Sequence, residues 1–209
     1  MLVKHCKLCN SEDMNSLNIA NYLFNKDTIC DVCRSKLEFK EQNIIIENIN
    51  ILGIYLYNEQ MKDLLLQYKE SCDESLYDVF MYKYRKKFKR KYKGYKIVVM
   101  PSSTKKQNLR GFNHLSKIFE GCGLEIVDIL EKVNDVSQKD LGYEKRLEMK
   151  NNIKIKEHMK VPEKVLLVDD VVTTGSSIIG AIRVLDTQCK EIKVFCLSYN
   201  KSWIIWILE

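Results

Sequence analysis

The chain has 209 residues, 45% of them hydrophobic and 30% charged, with 34 Lys or Arg against 28 Asp or Glu and a formal net charge of +6. That size and apolar content fit one sizeable α/β domain with a small appendage. Low-complexity tracts and repeats are absent, no run approaches the roughly 20 apolar residues that span a bilayer, and Met1 to Cys6 lacks the apolar core of a signal peptide, so the expected location is cytoplasmic.

Eight cysteines are present, and in a reducing compartment clustered pairs read as metal ligands rather than disulfides. Cys6-Lys-Leu-Cys9 and Cys30-Asp-Val-Cys33 form two Cys-x-x-Cys knuckles at a separation that places four thiolates around one zinc. Unrelated thiol pairs or a redox motif are the bland alternatives. The site reads as structural, folding residues 1–42 as a module, with residues 43–209 forming the larger domain. His5 is a spare ligand beside a complete set.

Asn43 to Tyr57 is β-rich and predicts two strands, Ile44–Ile46 and Ile51–Tyr57, joined through Glu47–Asn50. Residues 59–93 predict two helices. Met61, Leu64, Leu65 and Tyr68 share a face of the first, and Tyr77, Met81, Tyr84, Phe88 and Tyr92 share a face of the second. Between Val79 and Phe119 stand thirteen Lys or Arg and no Asp or Glu, so this segment carries +13 and the remainder, with +6 overall, carries −7. Such segregation attracts a polyanion. Lys86, Lys87, Lys89 and Arg90 are candidate contacts for single-stranded DNA, with a merely solvated basic face as the alternative. The aromatic period of this segment reads as core, leaving Tyr82 and Tyr95 as the better candidates for exposure.

Ile97–Met100 predicts a buried strand, and Pro101–Asn113 the loop after it. A helix is expected over Asn113–Phe119, a strand over Leu124–Val127 and a helix over Ser137–Lys150. Val165–Val168 is a continuous apolar run that suits a strand covered on both faces. Asp169 and Asp170 then stand at its carboxyl end, where an open α/β sheet binds ligands. Thr173, Thr174, Gly175, Ser176 and Ser177 follow, ahead of a helical apolar pattern from Ile178. Free backbone N–H groups, hydroxyls and a permissive glycine are what a phosphate needs. The acidic pair accepts sugar hydroxyls or helps to hold a divalent cation. Glu191–Ser198 predicts the last strand, and the apolar tail Trp203–Leu208 is expected to dock on the domain. Cys72, Cys122, Cys189 and Cys196 are expected as buried or partly buried thiols.

The stretch Val165 to Ser177 resembles the phosphoribosyl-pyrophosphate motif of type I phosphoribosyltransferases, with Ser177 where that family usually has Thr. The resemblance implies a phosphoribosyltransferase-like parallel-sheet domain. It places Asp169 and Asp170 on the ribose, Thr173 to Ser177 on the 5′-phosphate, and Ser102, Ser103, Lys105 and Arg110 on the pyrophosphate side, with magnesium accompanying the ligand. Leu109 to His114 resembles the Arg-Gly-Phe-Asn-Gln signature of the ComF competence-protein family, with His114 in place of Gln, and Met100-Pro101 stands for that family's Val-Pro. Gln138, Leu141, Arg146 and Asn151 fit its downstream pattern, while Asp135 replaces an expected Thr. That family also joins a cysteine-knuckle module to such a domain, and the likeness runs to about Tyr199. It implies DNA uptake in natural transformation, with single-stranded DNA on the basic segment and the zinc module docking a translocating ATPase. The alternative is an active phosphoribosyltransferase of unknown acceptor, with Asp169 and Asp170 as its catalytic pair.

Overall fold

The computed structural model describes residues 5–12, 27–133 and 153–200. Its strands are β1 (Phe39–Ile46), β2 (Ile49–Leu56), β3 (Lys96–Val99), β4 (Ile126–Val127), β5 (Leu130–Lys132), β6 (Ile153–Ile155), β7 (Lys164–Val172) and β8 (Glu191–Tyr199). Six of them build one sheet in the order β1-β2-β8-β7-β3-β4, and β5 and β6 pair separately. Every pairing in the large sheet is parallel except β1 with β2. Val165, Leu166, Leu167 and Val168 are fully buried, as the continuous apolar run requires of a central parallel strand.

β7 does not stop at Val168. Its ladder with β8 continues to Val172 opposite Tyr199, so Asp169 lies beside Cys196 within the sheet. β1 already begins at Phe39, inside the segment assigned to the cysteine module. Glu47 and Asn48 take φ of 46° and 66° and join Ile46 directly to Ile49. Two left-handed residues give a tight turn whose twist matches the strands, which replaces the expected four-residue connection.

Residues 59–93 are more broken than the two helices expected. α1 (Asp31–Lys36) belongs to the cysteine module; α2 (Glu59–Lys69) begins at Asn58, whose side chain accepts from Met61 N at 2.9 Å. A turn through Cys72, with φ of 56°, ends that helix. A 3-10 turn at Glu74–Leu76, α3 (Tyr77–Met81) and α4 (Arg85–Lys91) follow. Like charges four residues apart, Lys83 with Lys87 and Lys86 with Arg90, work against one continuous helix here. Cys72 is exposed, contrary to expectation, because it sits in this turn, whereas Cys122 and Cys196 are buried and Cys189 is half-buried.

The aromatics of the basic segment face inward. Phe195 of β8 packs on Tyr84, Phe88, Tyr92 and Phe119 with ring centroids 5.0 to 6.2 Å apart. Offset and edge-on rings of this kind add to what their burial alone contributes. Tyr95 is also buried, at 7% exposure, under the ammonium groups of Lys164 and Lys193. It is therefore no stacking platform, and Tyr82 is half-buried beneath the Arg34 guanidinium at 5.5 Å.

The segment after β3, expected as a loop, contains α5 (Thr104–Arg110). Ser103 Oγ accepts from Lys106 N at 3.3 Å and starts that helix, and Gly111, at φ of 81°, ends it. Asn113 caps α6 (His114–Phe119) by accepting from Ser116 N at 3.1 Å. α7 (Ser176–Leu185) follows the hydroxyl-rich turn and packs on β6. The helix expected over Ser137–Lys150, with Gln138, Leu141, Arg146 and Asn151, and the tail Trp203–Leu208 lie outside the described residues. Among the described residues no helix is long and apolar enough to cross a membrane.

Gly53 is where β2 and β8 press closest, since a Cβ there would sit 2.4 Å from Cδ1 of the fully buried Tyr199. A ring locked in the core cannot swing aside, so Gly53→Ala should lower unfolding stability in urea by about 1–3 kcal/mol. An unchanged midpoint would show that the ring has room to move.

Candidate functional site

The sulfurs of Cys6, Cys9, Cys30 and Cys33 all lie within 4.8 Å of one another. Zinc with bonds of about 2.3 Å to four tetrahedral sulfurs sets them about 3.8 Å apart, and Cys9 Sγ to Cys30 Sγ is 3.7 Å. Cys30 N donates to Cys6 Sγ at 3.3 Å, and Cys33 N donates to Cys30 Sγ at 3.4 Å. Backbone donors at sulfur favour thiolate, and despite the opposing effect of burial they bring the Cys6 thiol down to about 6. The cluster fits a structural zinc. The module is tied to the larger domain by Arg34, which donates to Val79 O at 2.8 Å and binds the buried carboxylate of Asp27. Lys7 adds contacts to Ser75 O and Asp78.

The second site lies at the carboxyl ends of the parallel strands, in a cleft of about 350 Å³. β7 supplies Asp169 and Asp170, the end of β3 leads into Ser102 and Ser103, α2 ends in Lys69, and α6 begins with His114. Asp170 Oδ2 accepts from Lys69 Nζ at 2.6 Å and from His114 Nε2 at 3.0 Å. Ser102 Oγ lies 3.4 Å from His114 Nδ1. Arg110 Nε donates to Lys69 O at 2.7 Å, while its Nη1 is buried with no hydrogen-bond partner among the described residues. A buried guanidinium donor left unmet at the wall of a cleft marks a place for an anion.

The two carboxylates are driven apart in acidity. Burial opposes the charge on Asp170, but the His114 hydrogen bond and the Lys69 ammonium outweigh it and hold this carboxyl well below the usual carboxylate range. Burial, then the neighbouring Asp170 charge, pushes Asp169 up. Burial likewise lowers His114 against the pull of Asp170. A neutral imidazole giving its Nε2 hydrogen to Asp170 leaves Nδ1 to accept from Ser102.

Of the residues expected on the pyrophosphate side, Ser102, Ser103 and Arg110 line the cleft; Lys105 is exposed and does not, and Lys106 takes that place. Ser177 lines the cleft, while Thr173, Thr174 and Ser176 are exposed beyond it, with Thr174 Oγ1 and Ser176 Oγ 2.7 Å apart. Gly175 turns the chain into α7 at φ of 73°, and a Cβ there would meet Ile46 at 3.0 Å. Lys69 and Lys132 belong to the site although no sequence pattern announces either. Lys69 is 101 positions from Asp170, beyond the reach of any local motif.

The cleft suits anions better than magnesium. Lys69, Lys106, Arg110 and Lys132 line it against the two carboxylates. Magnesium demands near-octahedral oxygen ligation, yet Asp170 Oδ2 already takes two donors and Asp169 is biased by burial towards its protonated form.

On the basic segment, part of the charge is met by acids from outside it. Lys87 and Lys91 pair with Glu41, Lys96 with Glu125, Lys106 with Glu70, and Lys117 with Glu74 and Glu120. Lys86, Lys89 and Arg90 are exposed on α4 without an acidic partner among the described residues.

A mostly parallel sheet, an acidic pair and hydroxyl turn on one strand, and a cationic cleft at the strand ends define a phosphoribosyltransferase-like domain, here attached to a four-cysteine cluster. Over 146 residues, 69% of its length, the chain is 35% identical to competence protein ComFC of Streptococcus pneumoniae, and over 175 residues, 83% of its length, 25% identical to ComFC of Bacillus subtilis. The chain is thus similar over most of its length to ComFC competence proteins. The matches span 66% of the pneumococcal protein, just under two thirds, and 71% of the Bacillus one. No protein-family model matches the sequence. Among solved structures, a hypoxanthine-guanine phosphoribosyltransferase of Bacillus anthracis is similar at a TM-score of 0.40 and 12% identity, covering 63% of this chain and 71% of that one. A hypoxanthine phosphoribosyltransferase of Staphylococcus aureus is similar at 0.42 and 11%, covering 62% and 66%.

Metal analysis of protein purified without chelator should find about one zinc per chain, and near-zero zinc would remove the structural-zinc assignment. Asp169 gives a second test. Folding raises its pKa, so the stability linked to its proton is fully present below the ordinary carboxylate value and is lost as the pH rises. Near neutrality the folded chain must either take up a proton at Asp169 or bury its charge, and either weakens the domain. Asp169→Asn should raise the thermal midpoint at neutral pH by about 2–4 °C, the shift that about 1 kcal/mol gives at this size, with the gain fading towards about pH 4. A midpoint unchanged at neutral pH contradicts it.

Proposed function

We propose that this protein acts in DNA uptake during natural transformation, binding phosphoribosyl pyrophosphate or a related ribose phosphate in its cleft and single-stranded DNA on its basic surface. The observation that carries the first part is the buried, unmet Arg110 donor beside the acidic pair. A phosphate group satisfies the guanidinium, and Ser102, Ser103 and Lys106 add donors around it. Ribose hydroxyls fall to Asp169, whose carboxylate is less enclosed than that of Asp170. Thr173, Thr174, Gly175, Ser176 and Ser177 offer hydroxyls and the first N–H groups of α7 to the 5′-phosphate.

The second part rests on α4. Its aromatics are spent in the core, so DNA would meet Lys86, Lys89 and Arg90 through phosphates rather than stacked bases, with Lys87 drawn from Glu41 to join them. Such binding is sequence-tolerant and falls steeply with salt. The cysteine module carries Val32 at 65% exposure, a place for a translocating ATPase of the competence machinery to dock. Asp170 is already engaged by Lys69 and His114, which favours retained ligand binding over turnover to an acceptor.

Calorimetric titration of phosphoribosyl pyrophosphate in magnesium buffer should show saturable binding, weakened at least about tenfold by Asp169→Asn with Asp170→Asn. Heat absent from folded, zinc-loaded wild type would reject the ribose-phosphate reading. Separately, replacing Lys86, Lys87, Lys89 and Arg90 by Ser should weaken single-stranded DNA binding and flatten its salt dependence by up to about three units, about 0.7 for each phosphate no longer neutralised. Unchanged affinity would take DNA off this face.

A further inference from the structure

Lys69 joins the two halves of the cleft, and neither the phosphate motif nor the competence-family signature contains it. Its backbone carbonyl accepts from Arg110 Nε at 2.7 Å, and its ammonium donates to Asp170 Oδ2 at 2.6 Å. One residue at the end of α2 therefore sets the guanidinium meant for phosphate and neutralises the inner carboxylate. The side chain is only 27% exposed and Asp170 9%, so solvent screens this pair little.

A divalent cation arriving with a sugar phosphate would relieve the repulsion between the phosphates and an acidic pair. Here the chain's own cations stand at that place. Lys69 and His114 take up Oδ2 of Asp170, an oxygen otherwise open to a metal, and Lys106, Arg110 and Lys132 line the rest of the cleft. Lys106 shares its charge with Glu70 at 3.6 Å, but both side chains are exposed and the pair is loose. Four cations against two carboxylates leave the lining net positive, so a second cation is repelled and a phosphate is drawn in.

We propose that Lys69 takes the part of the divalent cation, so that the cleft binds ribose 5-phosphate and its pyrophosphorylated form without magnesium. This rests on the ribose-phosphate reading above and adds Lys69 as the residue that makes the site independent of a metal. The ammonium holds Asp170 in place and keeps the floor of the cleft from repelling the ligand. An arginine can do the same; an uncharged side chain of equal length cannot.

Ribose 5-phosphate and phosphoribosyl pyrophosphate, as sodium salts, are titrated calorimetrically into the full-length zinc-loaded protein, in Chelex-treated buffer and again with millimolar magnesium. Resin treatment of the buffer leaves the thiolate-held zinc on the protein, and thermal melts confirm that each variant is folded. Wild type should bind with affinities within about threefold of each other in the two buffers. Lys69→Met should weaken binding at least about tenfold in the treated buffer and recover to within about threefold when magnesium is added, while Lys69→Arg follows wild type. Wild-type binding seen in magnesium alone overturns the inference and leaves the ribose-phosphate reading standing. Equal weakening of Lys69→Met in both buffers also overturns it, since Lys69 is then an ordinary contact. Binding in neither buffer overturns both.

Discussion

A carboxylate shut into the end of a parallel sheet remains an anion only if a cation or hydrogen-bond donors come to it, and Asp170 is met by two groups from distant parts of the chain. Lys69 reaches it from the last turn of α2 and His114 from the first turn of α6. Isolated burial of this charge would raise its pKa by several units; the two partners reverse that sign. The Asp170 carbonyl accepts from Ser198 Oγ at 3.0 Å, and Tyr68 OH donates to His114 O at 2.8 Å, so the same residues also pin β7 to β8 and α2 to α6. Position and charge state at the cleft are thus one problem with one solution. Asp169, just before it on the strand, accepts from the Asp170 N–H at 2.9 Å but makes no ion pair among the described residues, so the two neighbouring acids differ in charge state.

The core explains how a helix carrying so many lysines stays folded. α4 sets Phe88 and its flanking Tyr84 and Tyr92 against Phe195 and Phe119, which anchors the segment by apolar burial while its cations project outward. Fully burying a side chain of this size is worth about 1.5–3 kcal/mol, more than the few tenths by which each like-charge pair opposes the helix. Glu41 of β1 then draws Lys87, Lys91 and the Tyr84 hydroxyl together. Of the cations left over on α4, Lys89 and Arg90 lie three and four residues beyond Lys86, so the three share one side of the helix.

The cysteine module is held by more than its own sulfurs. Arg34 is 4% exposed and satisfied by Asp27 within the module and by Val79 O of α3 outside it. A buried charge fixed in this way is strongly destabilising to uncouple. The module and α3 are therefore expected to move as one body, and whatever binds the exposed face of α1 acts on the helix that packs against α6.

What lay within a few neighbouring residues was legible in the sequence. The Cys-x-x-Cys spacing, the buried run of β7, the acidic pair and the hydroxyl turn are local patterns, and so is the aromatic period that puts Phe88 in the core. The hairpin at Glu47-Asn48, the helix hidden after Ser103 and the extension of β7 to Val172 were less so, because turn chemistry and strand pairing each overrode a weak local signal. The burial of Tyr95 depended on Lys164 and Lys193 arriving from other strands. Lys69 was invisible for the same reason. A cation 101 residues from its carboxylate carries no mark in the chain, and only the tertiary placement of the end of α2 beside β7 decides that the two charges meet.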